Sequence, residues 1–225
     1  MINSIPLGDS DYIHHTNILE DKRFTFQDLT QASKDVVTLK NILFEGKDHM
    51  DKPFSPGIQF SIHYNFSDIV DRFRAYIREV ILKMYTEDYG IDPGFNISTF
   101  WIYYQHNSSK PAYWHSHPKS NLLRYDKTVG RETPMQVPNY KTCVLYLQVP
   151  EDVKESGKIW FSPNRNLKLE KDNKVTKNDI SVAPKQGDLL IFPYYTPHFP
   201  ELHTGKTARI VLGSNIYIKK PKSII

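Results

Sequence analysis

Trp114-His115-Ser116-His117-Pro118 is the stretch on which the reading of this chain turns. In an extended strand, residues i and i+2 point to the same face, so His115 and His117 would aim both imidazoles at one point. A third imidazole stands far downstream, at the end of Gly187-Asp188-Leu189-Leu190-Ile191-Phe192-Pro193-Tyr194-Tyr195-Thr196-Pro197-His198. If that apolar strand lies beside the first, three nitrogen donors can hold one transition metal. The His-x-His pair alone is weak evidence, because the chain has 9 histidines. His14-His15, by contrast, reads as a surface pair, since adjacent residues of a strand or helix do not share a face.

Working outward, the segments around this stretch are β-like. Ser98–Gln105 and Lys141–Val149 read as strands, as do Gly157–Phe161, Asp188–Phe192 and Thr207–Tyr217. Tyr113–His117 reads as a short strand carrying the two histidines, and Lys185-Gln186-Gly187 as a turn. Many strands at short spacing indicate an antiparallel sandwich or barrel. Residues 118–141 are polar and irregular, with Lys119, Arg124, Lys127, Arg131 and Lys141 against Asp126 and Glu132. A loop that long is either a basic lid over a site or a disordered insertion. Residues 162–182 read as a solvated hairpin excursion.

Upstream, Ile58, Phe60 and Ile62 alternate in an extended segment. The clearest helix follows. Ser67 is its expected N-cap and Asp68 lies in its first turn. Ile69, Phe73, Tyr76, Ile77, Val80, Ile81 and Met84 form one apolar face, and Tyr89-Gly90 closes it. Residues 1–50 are polar and mixed, with a short helix beginning near Phe24–Ala32 and no evident chemistry.

Composition narrows the classes. The chain has 225 residues, a length suited to a single β-rich domain. The net charge is only +4, which does not by itself mark a nucleic-acid binder. The tail Lys219-Lys220-Pro221-Lys222 could touch phosphates, but a short basic terminus reads as solvated. Cys143 is the one cysteine and lies in an apolar strand, so it reads as a small core residue and fits a cytoplasmic, reducing setting. The N-terminus lacks the pattern of a signal peptide, and no run of about 18 apolar residues predicts a membrane span.

Arg209 is the other residue that needs explaining. It sits in Thr207-Ala208-Arg209-Ile210-Val211-Leu212-Gly213, where Arg209, Val211 and Gly213 share one face. An arginine within an apolar strand is costly unless it meets an anion. That anion is either an internal Asp or Glu, or a ligand carboxylate gripped by the guanidinium fork.

The order His-x-His, apolar strand, distal His, strand-borne Arg resembles the iron- and 2-oxoglutarate-dependent dioxygenases, in particular prolyl-hydroxylase-like oxygenases of bacteria and phages. Tyr113–Pro118, Thr142–Leu147 and Gly187–Asn215 carry the resemblance, within residues 98–218. It implies a mainly β fold, a double-stranded β-helix or jelly roll with supporting N-terminal helices. A single domain 1–225 would divide into a support region 1–95 and a core 96–218 with the long loop at 118–141. It implies Fe(II) on His115, His198 and the residue at 117, 2-oxoglutarate held by Arg209 and Tyr146, and O2 as second co-substrate. Trp101, Tyr103, Trp114 and Arg124 are the expected substrate contacts. The substrate itself stays open: a protein side chain, a small molecule or nucleic acid.

The sequence departs from the family pattern at 117, where an Asp or Glu is usual. His117 is a third neutral ligand, or it lies outside the metal's ligand set, leaving that place to water or a carboxylate of the 118–141 stretch, or the site has lost its redox chemistry. Two rivals follow. One is a non-enzymatic jelly-roll module with a structural metal, which predicts an internal carboxylate on Arg209. The other is a three-His cupin-like metalloenzyme that needs no 2-oxoglutarate.

Overall fold

The computed structural model describes residues 1–8, 11–44, 58–62, 66–89, 95–106, 112–117, 123–126, 131–134, 140–153, 155–164 and 174–218. In chain order the elements are β1 (Asn3–Pro6), β2 (Tyr12–Asn17), a 3-10 turn (Ile18–Glu20), α1 (Phe26–Phe44), β3 (Ile58–Ile62) and α2 (Asp68–Tyr89). Then come β4 (Phe95–Gln105), β5 (Leu123–Asp126), β6 (Arg131–Pro134), β7 (Tyr140–Gln148), β8 (Ile159–Phe161) and β9 (Ile180–Val182). The chain continues through β10 (Asp188–Pro193), β11 (His198–Pro200) and β12 (Arg209–Ile218).

Seven strands form one sheet in the order β1-β2-β10-β7-β12-β4-β3, and β11-β8-β9 form a smaller one. Every pairing among the described residues is antiparallel. The large sheet is covered on both faces, which explains why β10 reads as an unbroken apolar run rather than an alternating one. Leu189 and Ile191 join Cys143, Leu145, Ile210 and Leu212 in the core under the helices. Leu190 and Phe192 join Val144, Tyr146 and Val211 on the opposite face, against Ile159 and Phe161 of β8. Cys143 is fully buried there as a core residue, and burial pushes its thiol up to about 12.

The helices sit as their apolar stripes require. Ile69, Phe73, Tyr76, Ile77, Val80 and Ile81 of α2 are all buried, each such side chain contributing about 1.5–3 kcal/mol if fully buried. Ser67 precedes α2 and its carbonyl accepts from Asp71 N. Its hydroxyl does not cap the helix, however; it donates to Asp35 of α1 at 2.6 Å and so ties the two helices together. α1 is a full 19-residue helix, not a short one. It opens with a reciprocal capping box: Asp28 N donates to Thr25 Oγ1 at 3.3 Å, and Thr25 N donates to the Asp28 carboxylate at 2.7 Å. No helix among the described residues is long and apolar enough to cross a membrane.

Three expectations change. Residues 1–95 supply β1, β2 and β3, three of the seven strands of the large sheet, so they do more than support it. Within 118–141, β5 and β6 pair as a two-stranded sheet where the sequence reads as irregular loop. His14 and His15 do point opposite ways along β2, but both are half-buried: His14 meets Ser4 Oγ at 3.0 Å, and His15 Nε2 meets the buried Asp188 carboxylate at 3.0 Å. The Gly90 helix stop and the Lys219–Lys222 tail lie outside the described residues.

Candidate metal centre

His115, His117 and His198 converge, with their ligand atoms all within 4.8 Å of one another. The cause is only partly the one expected. Residues 113–117 do not form a continuous strand. A single bridge joins His115 to His198, through His115 N to His198 O at 2.9 Å and His198 N to His115 O at 2.8 Å. His117 N then donates to Tyr194 O at 3.0 Å. These three backbone bonds fasten the His-x-His segment across the start of β11.

The imidazoles are oriented by what their far nitrogens touch. Nδ1 of His115 lies 2.8 Å from Tyr113 O, and Nδ1 of His198 lies 2.9 Å from Thr196 O. A carbonyl only accepts, so both Nδ1 atoms carry the proton and both Nε2 atoms present a bare lone pair. A backbone carbonyl on the distal nitrogen is the usual orienting partner of a metal-bound histidine. The Nε2 atoms of His117 and His198 stand 3.1 Å apart. Two ring nitrogens at that separation need either a shared proton or a cation between them. Burial lowers the pKa of all three rings, that of His117 to about 3, so they stay neutral and free to donate lone pairs.

His117 is pinned from behind. Trp101 stacks on it with ring centroids 5.7 Å apart and planes 10° from parallel. That ring position depends on Gly213 of β12, the strand partner of Trp101: a Cβ there would lie 2.2 Å from the indole carbons. Gly213→Val is therefore expected to displace Trp101 and unsettle His117. The predicted loss is about 1–3 kcal/mol of stability in a urea melt, accompanied by weaker metal binding in a competition assay with a coloured chelator.

The three imidazoles line a cavity of about 300 Å³ together with Tyr103, Tyr146, Arg209 and Trp101. Tyr113 is 44% exposed and marks its outer end. Arg209, fully buried, marks its inner one. Nη2 of Arg209 donates to the carbonyls of Gly157 and Glu201, the latter at 2.9 Å. Its Nε and Nη1 have no partner among the described residues, and no described carboxylate forms an ion pair with it. Burial lowers the Arg209 pKa, with the nearby Tyr146 and Tyr103 opposing. Burial likewise raises both tyrosine hydroxyls, which stay protonated. The inner end of the cavity thus offers a cation with unpartnered donors on Nε and Nη1, beside two phenols. The chemistry that completes such a set is a carboxylate.

The structure separates the remaining expected residues. Trp101 and Tyr103 line the cavity. Trp114 does not: it is 2% exposed and packs edge-on against Phe199, with centroids 4.6 Å apart. The alternation that turns Tyr113, His115 and His117 toward the cavity turns Trp114 into the core, so it is no substrate contact. Arg124 lies on β5, whose side chains are outside the described residues.

Several contributors had little signal in the sequence. Gln59 and Ile159 also line the cavity. Gly157, at φ +80°, leaves room for Arg209: a Cβ there would lie 2.8 Å from Nη2. The loop behind it is held by Asp152, which accepts from Ser156 Oγ, Thr204 Oγ1 at 2.6 Å and Thr204 N at 2.5 Å. Partial burial raises the Asp152 pKa, but these hydrogen bonds outweigh it and hold the carboxyl below the usual carboxylate range. A depressed folded-state pKa gives stability that is present above the unfolded value, about 3.9, and lost as the pH falls below it. Asp152→Ala is expected to cost about 1.5–3 kcal/mol at pH 7. That gap should narrow as denaturant melts are repeated below about pH 4.

No protein-family model matches the chain, and no curated protein matches it in sequence. Solved structures share its fold. HygX from Streptomyces hygroscopicus, with nickel, 2-oxoglutarate and hygromycin B bound, superposes with a TM-score of 0.58 at 11% identity, over 92% of this chain and 82% of that one. A Pseudomonas putida prolyl-4-hydroxylase superposes at 0.56 and 11% identity, over 94% and 95%. The α-ketoglutarate-dependent carbocyclase SnoK from nogalamycin biosynthesis does so at 0.57 and 12%, over 92% and 79%. At these identities the likeness is one of fold. The mainly β chain, with a seven-stranded sheet, a three-stranded one and N-terminal helices, is a double-stranded β-helix, or jelly roll, as expected.

Proposed function

We propose that the chain is a non-haem Fe(II) oxygenase that couples 2-oxoglutarate decarboxylation to hydroxylation of a substrate. The reading rests chiefly on one observation. Three neutral imidazoles, two of them oriented by backbone carbonyls, share a cavity with a buried arginine whose Nε and Nη1 have no partner among the described residues.

In this reading His115, His117 and His198 hold the metal, and Arg209 and Tyr146 hold the far carboxylate of 2-oxoglutarate. The donor set fits: imidazole suits iron, and the unpartnered guanidinium donors suit a carboxylate. Together the iron and co-substrate supply the oxidising power, with O2 consumed, succinate and carbon dioxide released, and an unactivated C–H bond hydroxylated. The protein's part is position and dryness. Tyr113 O and Thr196 O fix two imidazole planes. Trp101 holds the third and forms the wall beside it. Val144, Ile159 and Val211 keep the cavity apolar between its two polar ends. No side chain is required as a general base.

A structural-metal module is the weaker reading, because it needs an internal carboxylate on Arg209. A cupin-like three-His enzyme leaves that buried cation without a task. The test is anaerobic addition of Fe(II) and 2-oxoglutarate. A visible charge-transfer band, absent from Arg209→Ala, together with succinate formed under air, supports the reading. No band and no succinate overturn it.

A further inference from the structure

We propose that the co-substrate-loaded centre carries an uncompensated positive charge and therefore selects a substrate with a monoanionic group, such as a carboxylate, seated beside the metal. This deepens the proposed function and rests on it.

The argument is one of charge. The metal-competent cluster consists of imidazoles alone: among the described residues no Asp or Glu joins it. The described residues lining the cavity include no acid either, while Arg209 adds a cation. A divalent ion and Arg209 outweigh dianionic 2-oxoglutarate by one positive charge. With a carboxylate in place of His117 the sum would be zero. In a cavity walled by Trp101, Val144 and Ile159 that excess is screened less than in open water, so an anion gains more there than in solution. His117 is not free to swing away and change the sum: Trp101 stacks on one face, and its Nε2 stays 3.1 Å from that of His198. The sequence leading on from the cluster has the same sign, with Lys119, Arg124, Lys127, Arg131 and Lys141 against Asp126 and Glu132.

The test uses the full chain loaded with cobalt(II) and 2-oxoglutarate without oxygen, read by the d–d absorption of the metal. Acetate is the anionic probe and acetamide its neutral isostere. Acetate is expected to shift the spectrum saturably, and to bind about tenfold more weakly to His117→Asp and His117→Glu. Acetamide should not discriminate. Both variants should bind cobalt more tightly than the parent chain, because a carboxylate favours a cation. Equal acetate affinity in all three proteins overturns the inference, and so does failure of both variants to bind cobalt. A parent spectrum that answers acetate only after Asp126→Asn and Glu132→Gln assigns the missing charge to the chain itself and overturns it too. The underlying reading fails separately: if cobalt binds but 2-oxoglutarate leaves its spectrum unchanged, the proposed function falls. If 2-oxoglutarate responds and acetate does not discriminate, only this inference falls.

Discussion

His198→Ala is expected to lower metal affinity by more than about 100-fold, the upper end of what losing an outer partner of a metal ligand costs. His198 is central to the cluster. Its backbone makes both halves of the bridge to His115, its Nδ1 is committed to Thr196 O, and its Nε2 faces that of His117 at 3.1 Å. The ring is also wedged between Phe161 and Phe192, with centroids 6.1 and 4.9 Å away, so the truncation leaves a hole in the inter-sheet core. Loss of the fold and loss of the metal site must therefore be told apart. Thermal melting with and without metal does this. A metal at about 100 times its dissociation constant stabilises the parent chain by about 2.7 kcal/mol. The parent's melting temperature should rise on addition of Fe(II) under anaerobic conditions, and that of His198→Ala should not, whatever its starting value. An equal rise in both would remove His198 from the site.

The sequence carried some of this site clearly and some not at all, for physical reasons. Arg209 was legible because a cation inside Ala208-Arg209-Ile210-Val211-Leu212 violates the binary pattern of a buried strand, and such a violation needs an anion to explain it. The face assignment followed from strand alternation alone: Ile210 and Leu212 lie in the core beneath the helices, and Val211 lies on the cavity side. The convergence of His115 and His117 was legible, but through a strand that does not form. What orients them is a bridge to His198, 83 residues away, and local periodicity carries no information on such a partner. The same limit hid the roles of Gly213 and Gly157. A glycine in a strand or turn announces that something comes close, not that the neighbour is Trp101 or Arg209. β1 and β2 leave little signal because an edge strand and its neighbour, here Asn-Ser-Ile-Pro and Tyr-Ile-His-His-Thr-Asn, lack a long apolar run.

Arg209→Met should separate binding from folding in a way that few substitutions here can. Arg209 is fully buried, hydrogen-bonded through Nη2 to two backbone carbonyls and otherwise unpartnered among the described residues. For stability this is a poor arrangement, since a buried cation with unpaired donors bears a desolvation cost that its described neighbours repay only in part. An apolar side chain of similar length removes that cost and fills most of the same volume, losing only the bonds to Gly157 and Glu201. Stability is therefore expected to change by less than about 1.5 kcal/mol. Binding should behave oppositely. If the free N–H of Nε or of Nη1 donates to a carboxylate, removing it leaves an anion buried without its partner, at a cost of about 2–5 kcal/mol. That corresponds to a rise of roughly 30-fold to several thousand-fold in the dissociation constant for 2-oxoglutarate. Arg209→Lys should fall between, since an ammonium keeps the charge but not the fixed, planar placement of the donors. The measurements are a denaturant melt of the metal-free proteins and a 2-oxoglutarate titration of the metal-loaded ones. A methionine variant that loses stability and keeps its affinity would make Arg209 a structural residue, and with it the inner end of the cavity would lose its claim to the co-substrate.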